Sequence, residues 1–262
     1  MQNTFVEQNR RYVALNVGVI AMADVLKTIQ QRQSVRVPFN PNRPISKEKL
    51  RQILEAARWA PTAHNMQNFE IVVVDDKGVL DKIGTIRYRP SEAFIRENYE
   101  QLAFSEEELL RKKVGILGTN FPPDWRDPAR LDKAARESAP SPLSQRIAGS
   151  PTLLIVIHDS RKRAPASEGD VLGFISLGCV MENIWLAAQT LGISVHILSV
   201  FSGETVEKAV KRILKIPEFM KIAFAIRVGY PVSKQARHVR VRRDIEMFTH
   251  HNQFGNKNMN DM

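Results

Sequence analysis

Four stretches of this chain are apolar almost without interruption: FEIVVV at 69–74, TLLIVIH at 152–158, SVHILSV at 194–200 and IAFAIRVG at 222–229. A strand with one wet face alternates apolar and polar residues, whereas a strand covered on both faces reads as a continuous run. Each stretch therefore predicts a strand buried on both sides. Helical patterns separate them. Leu50, Ile53, Leu54 and Ala57 recur at helical spacing over 47–59, with Ser46 placed to cap the first turn. An apolar helix is expected over 172–191, and a helix over 204–215 turns Val206, Val210, Ile213 and Leu214 inward. Strands interleaved with helices predict a sheet enclosed by helical layers.

One domain is expected over 25–250. Its middle, about 85–150, is charged and rich in aromatic residues and proline, and reads as an inserted lid or pocket wall. Residues 1–24 read as an N-terminal appendage: the apolar run there is short and broken by Asn16, so secretion is not expected, and Met22 is an alternative start. Residues 251–262 form a polar, Asn-rich tail. The single cysteine, Cys179, rules out an intramolecular disulfide, reads as a buried thiol and fits a reducing, cytoplasmic setting. The apolar span 171–192 is long enough for a bilayer, but Glu182, Asn183 and Gln189 would be costly in lipid, so no membrane partner is expected.

The usual catalytic signatures are missing. No GxGxxG turn, GxxxxGK[ST] loop, HExxH pair or GxSxG elbow occurs, and His158, His196 and His238 stand alone. Chemistry must come from a distributed set of polar groups. The net charge is +10, and Lys234, Arg237, Arg240, Arg242 and Arg243 contribute a local excess. Such a run fits either a diffuse surface for polyanions or a compact site for one phosphate. No aromatic lies between Lys234 and Arg243, which argues against a single-stranded nucleic-acid platform. Arg32, Ser34 and Arg36 alternate, so in extended backbone two guanidiniums and a hydroxyl share one side, as a phosphate cradle requires. Arg240 and Arg242 repeat the spacing. The loop at 61–68 packs Thr62, His64, Asn65, Gln67 and Asn68 together without glycine. Its amides can donate and accept, which suits the edge of a flat heteroaromatic ring, or equally a turn bonded to itself.

QRQSVRVPF, EKLRQILEAARWAPTAHNMQNFEIVVV, GCVMENIWLAAQTLGIS, VGYP and RVRRDIE, in that order, resemble the nitroreductase family of FMN-dependent oxidoreductases, from about residue 25 to 250. The resemblance implies an α+β fold, an α/β/α sandwich with a mixed sheet flanked by helices, assembled as a homodimer with FMN between the subunits. It implies that Arg32, Gln33, Ser34 and Arg36 meet the flavin phosphate and ribityl chain, with Arg242 as a second phosphate ligand and Arg240 its helper. Thr62, Ala63 and Asn65 would lie against the isoalloxazine, and Ile197, Leu198 and Ser199 would pass beside the ring. The implied activity is transfer of a hydride from NADH or NADPH, through flavin N5, to a nitroaromatic, quinone or related small acceptor in a ping-pong cycle, without a catalytic side chain. Enoate or dehalogenating reductases and dehydrogenating oxidases share the fold and remain alternatives, as does a flavin-storing homologue without turnover. A basic nucleic-acid-binding protein is the rival from another class. Three positions depart from the family pattern: Asn68 and Phe69 stand where Pro and Trp are common, and Ser176 where Asp is common.

Overall fold

A computed structural model of the protein describes residues 22–234 and 239–257. Most of the expected appendage, Arg237 of the basic run, His238 and the end of the polar tail lie outside the described residues. The chain divides into two compact units. Of the described residues, the first comprises 22–86 together with Ser144–Lys234, and the second Arg87–Leu143 together with 239–257.

The first unit contains helices α1 (Met22–Gln31), α2 (Lys47–Arg58), α3 (Lys77–Gly84), α4 (Val171–Thr190) and α5 (Glu204–Leu214). Its strands are β1 (Glu70–Val74), β2 (Thr152–Asp159), β3 (Ser194–Leu198) and β4 (Met220–Gly229). Local chemistry starts the helices where the sequence places them. Ser46 Oγ accepts from Lys49 N at 3.3 Å ahead of α2, and Asp76 Oδ1 accepts from Val79 N at 2.8 Å ahead of α3. Each bond satisfies an amide that the first helical turn leaves open.

The strands lie in the order β1-β2-β4-β3, each antiparallel to its neighbour. The parallel contribution to this sheet is a bridge between Ser34 and Val195 on the outer side of β3, where Val35 N donates to Val195 O at 2.9 Å. On one face Leu154, Val156, Ile226 and Val228 pack with Ile53 and Ala57 of α2 and with Leu177, Val180, Ile184 and Ala188 of α4. Leu153 and Ile155 alternate to the other face and are buried too. Burying an aliphatic side chain of this kind contributes about 1.5–3 kcal/mol, so the central strand anchors the unit from both sides.

β1 departs from expectation. It occupies the edge of the sheet, and Ile71, Val72 and Val73 are only half-buried. A continuous apolar run reports that both faces want cover; it carries no information about how many strands lie alongside. Cys179 is likewise half-buried, packed against the core instead of inside it.

α4 by length and composition could cross a membrane. Its polar residues are nevertheless used within the protein: Glu182 pairs with Arg32 at 2.9 Å, and Asn183 Nδ2 donates to Ala56 O at 2.9 Å. At its far end Lys49 Nζ donates to Leu191 O at 3.0 Å, placing a cation where the helix dipole is negative. The first two turns are different. Val171, Leu172, Phe174 and Ile175 are exposed, Phe174 by 58%, so this helix has more apolar surface than its own unit covers.

The second unit is built from short elements. Helices Glu92–Glu97 and Pro128–Glu137 pack through Ile95, Leu131 and Ala135, with Tyr99 and Trp125 alongside. Arg96 joins Glu92 at 2.7 Å and Asp132 at 2.6 Å. Helix Glu106–Lys112 begins with a reciprocal capping box between Ser105 and Glu108. Lys113 pairs with Asp244 of the C-terminal piece.

Candidate functional site

Two polar segments of the first unit contain most of the residues singled out in the sequence. The first runs along the outer edge of β3. The Ser34–Val195 bridge sets residues 33–36 beside the first part of β3, with Ile197 and Leu198 further along the strand and Ser199 just past its end. Val35 is buried, Ser34 is half-buried and Arg36 is exposed, which is the alternation expected of extended backbone. Gln33 is exposed, and its carbonyl accepts from Trp185 Nε1 at 3.4 Å. Arg32 is committed to α4: its Nε pairs with Glu182, and its guanidinium lies 4.4 Å from the centre of the Trp185 ring. The cradle thus has an exposed arginine and an arginine already tied to a carboxylate.

Arg227 and His196 support this segment from inside. Arg227 projects from β4 and is 1% exposed. Its Nε donates to His196 Nδ1 at 3.1 Å, its Nη1 to Ile147 O at 3.3 Å, and its Nη2 to Val35 O at 2.9 Å and Val37 O at 3.1 Å. Because His196 accepts through Nδ1, its own proton sits on Nε2. Burial, reinforced by the charges of Arg227, Arg36 and Arg146, pushes the His196 pKa down to about 3, so the ring is neutral in any ordinary buffer. Burial also lowers Arg227, to about 10, which still leaves it charged.

The second segment is the loop between α2 and β1. His64, Asn65 and Gln67 take φ values of 51°, 52° and 48°, so three residues with side chains occupy the left-handed region that glycine favours. Asn tolerates that conformation; for His and Gln it costs about 1–2 kcal/mol each. Hydrogen bonds offset the strain. Gln67 N donates to Thr62 Oγ1 at 3.1 Å, Gln67 Nε2 to Asn65 Oδ1 at 3.0 Å, and Ala63 N to Ser176 Oγ at 3.0 Å. Ser176 in turn donates to Leu172 O at 2.7 Å, which fastens the loop to α4. Asn68 clamps the far end, donating to Asp159 O and accepting from Asp159 N, both at 3.1 Å. Asn68 and Ser176, two of the departures from the family pattern, are therefore used in holding the loop. Between loop and helix lies a cavity of about 20 Å³, room for one water-sized group, lined in part by Thr62, Ala63, His158, Asp170 and Ser176. Burial lowers the pKa of His158 against the opposing pull of Asp170.

The two segments stand apart within one chain. Ser176, which holds the loop, lies six and nine residues before Glu182 and Trp185, which hold Arg32; at about 1.5 Å per residue this is roughly 9–14 Å along α4. The loop also feeds β1 at one edge of the sheet, whereas the arginine segment flanks β3 at the other. Arg240 and Arg242 belong to the second unit, where both are exposed and Arg242 Nη1 donates to Val241 O at 2.7 Å. Among the described residues no cluster of His, Cys, Asp and Glu could hold a metal ion.

Sequence reading missed Arg227, His196, and the anchoring roles of Asn68 and Ser176. Arg227 sits inside an apolar strand, IAFAIRVG, and that incongruity was the available signal.

A profile of the nitroreductase family matches residues 29–230. A protein of Archaeoglobus fulgidus, provisionally named an NADH dehydrogenase/NAD(P)H nitroreductase, is 27% identical over 210 residues, which cover 80% of this chain and 87% of the relative. Among solved structures, an FMN-dependent nitroreductase from Clostridium difficile R20291 superposes with a TM-score of 0.54 at 19% identity, covering 87% of this chain and 99% of that one. A nitroreductase with bound FMN from Desulfitobacterium hafniense DCB-2 gives 0.53 at 21% identity, with 88% and 99% covered. The structural likenesses establish the fold, and the profile, spanning most of the sequence, establishes descent: this chain belongs to the nitroreductase family.

Proposed function

We propose that this protein is an FMN-dependent oxidoreductase that takes reducing equivalents from NADH or NADPH and delivers them to a small acceptor, a nitroaromatic, a quinone or a related compound. The feature that carries the reading is the outer edge of β3, where Ser34 bridges Val195 and Arg36 follows in the same extended stretch, with Ile197 and Leu198 further along the strand. Charged forks and a hydroxyl suit a phosphate, and the neighbouring strand end suits the polar edge of a flat ring. The donor set therefore fits FMN. The names of the Archaeoglobus fulgidus relative, of the FMN-dependent Clostridium difficile nitroreductase and of the FMN-bound Desulfitobacterium hafniense structure support the same assignment.

When bound, FMN supplies the hydride chemistry, which is why the chain needs no nucleophile or acid–base pair of its own. Arg36 would bind the phosphate by charge-assisted hydrogen bonds, Ser34 would add a neutral donor, and Arg32, whose Nε pairs with Glu182, would add its terminal nitrogens. Arg240 and Arg242 are assigned to the same phosphate by the family resemblance. Thr62, Ala63 and Asn65 are assigned to the ring. Asn65 Oδ1 accepts from Gln67, which orients the amide, and its Nδ2 is a donor suited to a ring edge.

Two features favour a homodimer in which the site is completed by a second copy. The loop and the arginine segment lie on opposite edges of one sheet, and the first turns of α4 expose Val171, Phe174 and Ile175. A two-fold pairing along α4 would cover that surface and bring a loop from one protomer toward the arginine segment of its partner. The test is a titration of apoprotein with FMN, followed by anaerobic addition of NADH or NADPH and then of a nitroaromatic or quinone. The expected result is stoichiometric uptake, bleaching of the flavin band near roughly 450 nm by at least one nicotinamide, and recovery of the band with the acceptor. Protein that takes up no FMN would refute the reading. Sedimentation of the loaded protein as a monomer would refute the dimer.

A further inference from the structure

Arg227 poses a physical problem. A guanidinium that is 1% exposed costs several kcal/mol to desolvate, and an apolar side chain of similar volume would serve a core as well or better. None of its hydrogen-bond partners is a carboxylate: they are a neutral histidine and three main-chain carbonyls. Its placement in the core needs another reason.

The carbonyls it selects supply one. Val35 and Val37 flank Arg36, and Ile147 follows Arg146. In extended backbone the carbonyls at alternate positions point the same way, so a single nitrogen, Nη2, reaches both Val35 O and Val37 O. His196 lies directly across the ladder from Arg227, between β4 and the arginine segment, and accepts from Nε on the way. The Phe39 ring centre lies 4.4 Å from the guanidinium carbon and fixes the plane of the fork. Together with the bond from Val35 N to Val195 O and that from Trp185 to Gln33 O, these contacts tie the backbone of residues 33–37 at four points. A segment outside any regular element has no ladder of its own, and without such ties its side chains would sample many directions.

We propose that Arg227 is the positioning residue of the anion cradle: by holding Val35 O and Val37 O it fixes the backbone on both sides of Arg36, so that Ser34 and Arg36 are presented to the cofactor phosphate. The proposal rests on the FMN reading above. It also accounts for the neutral His196, because a protonated ring could not accept from Arg227 and would break the chain of contacts.

The test compares two flavins. Riboflavin shares the ring and ribityl chain of FMN and lacks the phosphate, so a defect confined to the cradle weakens FMN and spares riboflavin. Apoprotein of the wild type and of Arg227→Met is titrated with each flavin by fluorescence quenching, with circular dichroism to verify folding. Arg227→Met is expected to lose FMN affinity on the order of tenfold, with riboflavin unchanged. Equal loss for both flavins, or no loss for FMN, overturns the proposal, since the first marks a general structural role and the second none at all. If Arg227→Met does not fold, Phe39→Leu decides: it leaves the guanidinium in place and removes the ring that orients it. A smaller FMN-selective loss supports the proposal, and parallel or absent loss overturns it. Wild-type protein that binds the two flavins equally would instead remove the phosphate assignment on which the proposal stands.

Discussion

The arginine segment at residues 32–37 and the loop at 61–68 are both irregular, both polar and both assigned to one cofactor, yet they are held in opposite ways. The arginine segment is held from outside itself, by Val195, Trp185 and above all Arg227. Arg36 is exposed at its surface, while Arg32 is paired with Glu182. The loop spends its own side chains in being held, Thr62, Asn65 and Gln67 on one another and Asn68 on the Asp159 main chain, and it bears the strain of three left-handed residues that are not glycine. An anion site needs charged side chains within reach of solvent. A shaped edge against a flat ring needs a fixed backbone, and there side chains can be consumed in the fixing.

The sharpest way to break this contrast is charge removal. Arg36→Ala should weaken FMN by about a hundredfold with little effect on riboflavin, because a forked contact to phosphate is lost. Asn65→Ala should weaken both flavins together. If Asn65→Ala proved as phosphate-selective as Arg36→Ala, the division of labour would be wrong.

A smaller effect is expected from Asn68→Ala. It removes both bonds to the Asp159 main chain, so the thermal midpoint should drop by roughly 2–6 °C while the preference for FMN over riboflavin is kept. Loss of that preference would mean that the loop also shapes the phosphate end.

The smallest effect concerns pH. The His196 pKa is depressed in the folded protein, so between its ordinary 6.5 and about 3 the unfolded chain binds a proton that the folded chain does not. Stability from this residue is therefore complete above pH 6.5 and declines as pH falls through that window. His158 is shifted in the same direction, also chiefly by burial, and Asp159, held at about 2 by Arg161, adds a further loss at lower pH. Thermal midpoints measured across this range should fall less steeply for His196→Gln than for the wild type. An unchanged slope would show that the ring is not kept neutral by the fold.

Much of the frame was legible because it depends on patterns that local sequence carries. The strands at 152–158 and 222–229 and the helix capped by Ser46 appear within one or two residues of expectation. The alternation of Arg32, Ser34 and Arg36 was also readable, since extended backbone fixes which side chains share a side. What could not be read depends on neighbours distant in sequence. Edge placement of β1 depends on strand order, and the engagement of Arg32 depends on Glu182 of α4. The polar loop offered two readings, ring edge or self-bonded turn, and its hydrogen bonds show that the turn is self-bonded whatever else it touches. Arg227 stood in plain sight, but only the contacts to Val35 and Val37, some 190 residues away in sequence, give it a purpose.

The Ser34–Val195 bridge has one more consequence. β3 is an edge strand carrying Val195, Ile197 and Leu198, and an unpaired strand edge invites strands from other molecules. The arginine segment blunts part of that edge with a single bridge and follows it with a charged side chain. The residues that attract an anion therefore also act as a guard against self-association, and any change that frees the segment exposes a template for intermolecular sheet growth.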